Sequence, residues 1–335
     1  MEKLKNIFFA ILGFGLMLIV LELFFTLGGI TNPIIRIDSK YGEQYIPDKM
    51  CNSLFVTEGF GLAKTNENGW FGKGQPKINS SEKTIGVIGN SFVASRQVFS
   101  RNNFLNISEI HLNRDSESTY GVYNYGKEAL PLSQLLHVKE IVKEEYNPDH
   151  ILILINDRSF KAASRMAPFY ELDNKEQFVL NTDFKSTIVY KVYQKVSWLS
   201  NSSILFLAYR VKNFLPNTGR IIFDKFYPDK EVILVNTQEK EQLSTVNSKI
   251  LHTLVADKDI VFITDIRGVL AADVKEILKD ANTIDLRPFL EEMETIDGVN
   301  PYYWEIDKDY GHWNNEAHKK IGLELAKKLP HFFKR

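Results

Sequence analysis

Residues 86–95 read "GVIGNSFVAS". A short apolar run, Thr84-Ile85-Gly86-Val87-Ile88, stops at Gly89, and an asparagine, a serine and a helical-looking segment follow. A buried strand that breaks at a glycine and turns into a helix presents its first helical residue at the carboxyl edge of a sheet. Ser91 holds that position, either as a turn residue or as a nucleophile at a strand exit.

Downstream, the same alternation recurs. "GVYNYG" (121–126) precedes "LSQLLHVKEIVKEEY", in which Leu135, Val138, Val142 and Tyr146 share one helical face. Asn147-Pro148-Asp149 closes that helix. "HILILIN" (150–156) is continuously apolar, as a strand covered on both faces should be. "DIVFITD" (259–265) and "NTIDL" (282–286) read as later strands, and Ala317, Ile321 and Leu325 stripe a last helix. Strand and helix in alternation predict an α/β fold with a parallel sheet between two helical layers. Ligands on such sheets bind beyond the carboxyl ends of the strands, where Ser91, Gly126 and Asn156 emerge.

Before this domain stand two other segments. Residues 7–27, "IFFAILGFGLMLIVLELFFTL", carry one charge, Glu22. As a helix they would extend about 31 Å, the thickness of a hydrocarbon core. Lys3 and Lys5 precede them, which favours a cytoplasmic N-terminus and a domain outside the cytoplasm. A cleavable signal peptide is the competing reading, but it would be shorter and would end in small residues; Thr26-Leu27-Gly28 fits poorly. Glu22 lies near the far end, able to reach the interface, stay protonated or find a partner. The resulting division is a cytoplasmic terminus (1–6), an anchor (7–28), a polar stem (29–82) pinned by Trp70 and Phe71, and the main domain (83–335). Residues 158–250 interrupt the alternation with a long helical stretch near 186–215, read as a helical insertion, either a lid or docking surface or a plain subdomain.

Bulk composition narrows the function. The 335 residues hold 41 basic against 42 acidic side chains, which gives no electrostatic reason to expect nucleic acid. One cysteine, Cys51, excludes an internal disulfide framework and a Cys-cluster zinc site. The seven histidines show no H-E-x-x-H spacing, so neither metal nor cofactor is expected. G-x-x-x-x-G-K-[ST] and a strand-following G-x-G-x-x-G are both missing, which argues against a nucleotide-binding protein.

A serine needs a base to act as nucleophile. His312 stands out, three residues after Asp309 in "DYGH" and just before the last helix. An Asp at that spacing can turn back to Nδ1 and leave Nε2 for a serine. Asp307 is an alternative carboxylate, and His318 reads as structural. For a developing oxyanion, the candidate donors are the N–H of Ser91, the N–H of Gly126 and the side-chain amide of Asn156.

Ser, Gly, Asn and Asp-x-x-His in this order resemble the four motif blocks of the SGNH/GDSL hydrolase superfamily. "VIGNSFVAS" resembles the first block, "YNYGKEA" the second, "ILILINDRSF" the third with its N-D pair, and "DYGHWNNEAH" the last. The likeness runs from about Lys83 to the C-terminus, less the insertion. It implies a flavodoxin-like three-layer fold, a Ser91–His312–Asp309 triad, an oxyanion hole of Ser91, Gly126 and Asn156, and no cofactor. Asn90 stands where the family has Asp, and Ile155 where a Gly often precedes the N-D pair. The anchor and stem are similar to membrane-anchored SGNH proteins of polysaccharide acylation. That likeness implies an esterase or O-acyltransferase, an acyl ester or surface-glycan substrate, attachment to the membrane through the N-terminal helix and a membrane-bound acyl-donor partner. A catalytically silent glycan-binding module of the same fold is the alternative.

Overall fold

The computed structural model describes residues 2–27, 35–52, 58–59, 61–76, 82–114, 118–162, 166–195, 197, 202–204, 243–268, 270–305 and 309–333. Asp307 and most of the long stretch near 186–215 lie outside them. The chain forms two compact units. One comprises residues 1–36 with 188–239, the other 37–187 with 240–335.

The smaller unit is built on α1 (Glu2–Leu27). Its first 24 residues have a mean hydropathy of 2.6 and no burial within the protein, so the helix is long and apolar enough to cross a bilayer. Glu22, the lone charge in the sequence's apolar run, has partners. Its carboxylate accepts from the Ser202 hydroxyl at 2.8 Å, the Ser203 N–H at 2.6 Å and the Ile204 N–H at 3.1 Å. A short stretch of the expected insertion thereby closes on α1. The unit also holds α5 (Ile188–Lys195).

The larger unit is a five-stranded parallel sheet: β1 (Lys83–Gly89), β2 (Tyr120–Gly126), β3 (His150–Asn156), β4 (Ile260–Asp265) and β5 (Asn282–Asp285). The spatial order is β2-β1-β3-β4-β5, the flavodoxin-like order, whose switch point lies between β1 and β3. Ser91 follows β1 and Asn156 ends β3, so the two strands flanking that crevice deliver both residues.

Why β3 is a central strand is visible in its alternation. Ile151, Ile153 and Ile155 face one helical layer, while Leu152 and Leu154 face the other, and all five are at most 5% exposed. The first layer is α4 (Leu132–Glu145), α6 (Thr245–Ala256) and α7 (Ala271–Leu278), with Leu135, Val138 and Val142 in its core. The second is α3 (Phe104–Arg114), α8 (Arg287–Thr295) and α9 (Asn315–Phe332), with Ala317, Ile321 and Leu325 fully buried. The predicted stripes therefore lie where the 3.6-residue period puts them.

The stem is part of this unit. Trp70 is fully buried between the rings of Tyr41 and Tyr125, and Phe71 packs on Tyr45. Met50–Asn52 and Leu62–Lys64 pair antiparallel, and Glu58 lies in the connection between them. Cys51 is buried, and that burial pushes its thiol up to about 12, away from reactivity. Residues 158–187 and 240–250, expected within the insertion, belong to this larger unit. Phe169–Leu172 and Phe178–Asn181 form an antiparallel hairpin there.

Candidate active site

Ser91 opens the four-residue helix α2 (Ser91–Ala94). Its N-cap is Asn90, whose side-chain oxygen accepts the Phe92 N–H at 3.1 Å. As the first helical residue, Ser91 has an N–H outside the intrahelical ladder, free to meet a ligand. Its Oγ lies 2.6 Å from Nε2 of His312, across 221 residues of chain.

His312 is held from several sides. Trp304 Nε1 donates to its carbonyl at 2.9 Å, and the Phe92 ring lies 4.6 Å from the imidazole. The next residue, Trp313, is fully buried and donates to Asp265 at 3.1 Å. Asn314 caps α9 by accepting the Ala317 N–H. The remaining support is Glu58. Its Oε2 accepts the His312 backbone N–H at 2.7 Å and also hydrogen-bonds Nδ1. Gly311 admits this approach, because a Cβ there would sit 2.1 Å from the Glu58 carboxyl carbon. Burial pushes the Glu58 carboxyl up, but hydrogen bonds and charge from His312, with the Arg158 charge, outweigh it and hold the group below the usual carboxylate range.

The expected triad has Asp309 on Nδ1. The carboxylate found there is Glu58 of the stem, and an imidazole Nδ1–H serves one acceptor. Asp309 pairs through its backbone with Trp304 in a short ladder, Tyr303–Trp304 against Asp309–Tyr310. Sequence reading passed over Glu58 because it lies 254 residues from His312 in a polar, aperiodic segment. A carboxylate beside glycines in "TEGFG" was the only trace.

Gly126 also departs from expectation. Its N–H donates to the Asn124 side chain at 2.8 Å, and its Cα faces the backbone of α2, where a Cβ would lie 2.1 Å from Ala94 N. It is the floor on which the serine turn rests, not an open donor. Asn156, 3% exposed, meets the expectation better. Its Oδ1 accepts from Asn90 Nδ2 at 2.7 Å and from the Arg158 N–H at 3.1 Å, so its amide nitrogen is the group left for a ligand. Asn90 is thus a donor where a carboxylate could only accept, which fixes the orientation of Asn156. Asp157, the second half of the N-D pair, accepts the N–H groups of Arg267 and Gly268 and holds the β4–α7 loop.

A cleft of about 270 Å³ opens beside Ser91 and His312, lined by Phe92, Asn156, Arg158, Asp265, Arg267 and Tyr302 among others. Arg158, unforeseen in the sequence, donates from Nη1 to His312 Nε2 at 2.8 Å. Among the described residues no cluster of three His, Cys, Asp or Glu side chains could hold a metal. His318 is fully buried, accepts the Phe104 N–H and is structural, as read from the sequence.

No family model and no curated protein matches the chain. Solved structures do resemble it. The psychrotrophic esterase EstA from Pseudoalteromonas sp. is 11% identical, covers 76% of this chain and 100% of its own, and gives a TM-score of 0.39. The lipase/acylhydrolase from Enterococcus faecalis is 10% identical over 74% of this chain and 96% of its own, also at 0.39. A member of the lipolytic protein G-D-S-L family from Veillonella parvula is 12% identical over 74% and 98%, at 0.36. These three similar structures are described as an esterase, a lipase/acylhydrolase and a member of the lipolytic G-D-S-L family.

Proposed function

We propose that this chain is a serine-dependent enzyme of ester chemistry. The observation that carries the reading is the continuous chain from Ser91 Oγ through both ring nitrogens of His312 to the Glu58 carboxylate. In this reading Ser91 Oγ attacks the carbonyl carbon of an ester while its proton passes to Nε2. Glu58 keeps the imidazole in the tautomer that can accept that proton and stabilises the imidazolium that forms. In the same reading the oxyanion accepts from the Ser91 N–H and the Asn156 amide. Collapse breaks the bond to the alcohol, which leaves with the proton from Nε2, and an acyl-serine remains. Water as acceptor makes the enzyme an esterase; a sugar hydroxyl makes it an O-acyltransferase.

The apolar helix α1 favours the second setting. A chain anchored there, with Lys3 and Lys5 on the cytoplasmic side, would carry the rest of its residues outside the cytoplasm. A glycan acylated there, most simply with acetate, is the substrate class that fits, with a membrane-bound partner supplying the acyl group.

Phenyl acetate turnover by the full chain in detergent micelles tests the core of this reading. Ser91→Ala and His312→Ala should each lower turnover by about 10⁴-fold or more, with the far-ultraviolet spectrum unchanged. Equal turnover in all three proteins would end the serine mechanism.

A further inference from the structure

The imidazole Nε2 of His312 is approached by two donors at once. Ser91 Oγ lies at 2.6 Å and Arg158 Nη1 at 2.8 Å. With Nδ1 committed to Glu58, Nε2 offers one lone pair, and a guanidinium never gives up its proton near neutral pH. While Arg158 occupies that lone pair, the imidazole is a poorer acceptor for the serine proton. The resting arrangement therefore needs something that draws Arg158 aside.

The cleft supplies the place. Arg158 lines it beside Phe92, over whose ring its guanidinium lies at 5.3 Å. Arg267 lines it as well, stacked on Tyr302 at 3.1 Å. The acids of the cleft are already engaged. Asp157 holds the loop N–H groups of Arg267 and Gly268. Asp265, 2% exposed, accepts from the Tyr302 hydroxyl and Trp313 and stands 3.7 Å from Arg267. Among the described residues no carboxylate lies within ion-pair distance of Arg158. A planar fork of donors without a carboxylate, beside the reacting serine, matches an incoming carboxylate. With Asp157 and Asp265 in the same cleft, a monoanion suits it better than a dianion.

We infer that the substrate carries a carboxylate, and that Arg158 moves from His312 Nε2 to this carboxylate when substrate enters, which releases the base. Arg158 is thus a specificity-determining residue, and neutral esters find the base partly blocked. This inference names the substrate class for the ester chemistry proposed above and rests on that reading. The carboxylate belongs either to the acyl group or to the alcohol half of the ester.

Three probes separate these sources: phenyl acetate (neutral), monophenyl succinate (acid on the acyl side) and 4-acetoxybenzoate (acid on the alcohol side). Binding is measured first, by equilibrium dialysis with the full Ser91→Ala chain, in which no acyl transfer occurs. At least one acidic probe should bind about tenfold or more tighter than phenyl acetate, and Arg158→Gln in that background should erase the preference, the loss of one charge-assisted hydrogen bond. The probe that shows the preference identifies the half of the ester that carries the acid. Arg158→Lys should keep part of it. Equal binding of all three probes, or a preference that survives Arg158→Gln, overturns the inference. Turnover is measured second, in chains that keep Ser91. Arg158→Gln should lower kcat/KM for the acidic ester and raise it for phenyl acetate, whose base is then no longer blocked; a fall for both esters alike also overturns it. An acidic preference in binding without turnover of any ester would leave the carboxylate site standing and remove the esterase reading.

Discussion

Glu58 takes two hydrogen bonds from His312, one from the backbone N–H at 2.7 Å and one from Nδ1. A carboxylate that grips both the ring and the main chain of one histidine fixes the ring's rotation as well as its tautomer. Glu58→Gln should therefore lower ester turnover by about 10²- to 10⁴-fold, whereas Asp309→Asn should leave it within about threefold. Steady-state rates on phenyl acetate check this. Crippled Asp309→Asn beside a silent Glu58→Gln would return the orienting role to Asp309.

Asn156 lines the cleft and is pinned by Asn90 through its oxygen, which leaves its amide nitrogen for a ligand. Asn156→Ala should cut kcat by about 10²- to 10³-fold with little change in KM, as expected for a donor used in the transition state. A rise in KM at constant kcat would mean that Asn156 only binds the ground state.

The floor under the serine turn is backbone against backbone at Gly126, with Ala94 N 2.1 Å from where a Cβ would stand. Gly126→Ala must push α2 away from the sheet. It should destabilise the domain by roughly 1–3 kcal/mol and misplace Ser91 as well. Thermal unfolding and turnover should fall together. An unshifted melting temperature would show that α2 moves freely.

Burial, with the charge of nearby His312, pushes the His318 imidazole down to about 3. In the unfolded chain it titrates near 6.5, so between those values the unfolded state binds the extra proton. Stability from this group is complete above about pH 6.5 and is lost as the pH falls toward 3, at up to about 1.4 kcal/mol per pH unit. Urea unfolding at several pH values should show this slope, and His318→Phe should flatten it. An equal slope in the variant would assign the acid sensitivity elsewhere.

The parts of this molecule that could be read in advance are those with a local period or a local break. "HILILIN" announces a doubly covered strand because every residue must be buried, and Ser91 and His312 sit beside such breaks. Glu58 and Arg158 reach the site through long-range folding of the stem and of the turn after β3, which leaves no periodic trace. Gly126 was placed correctly at its strand's end, yet its role depends on where the Asn124 side chain points. The glutamate of α1 looks solitary in the sequence because its partners at 202–204 lie 180 or more residues away.

The central claim is that Ser91 is an activated nucleophile. The most direct test is to expose the full chain to a fluorophosphonate probe and locate the adduct by peptide mass spectrometry. The account predicts one adduct, on Ser91, lost in His312→Ala and much slowed in Glu58→Gln. A folded wild-type chain with Ser91 unmodified, or with equal labelling after His312→Ala, would contradict it.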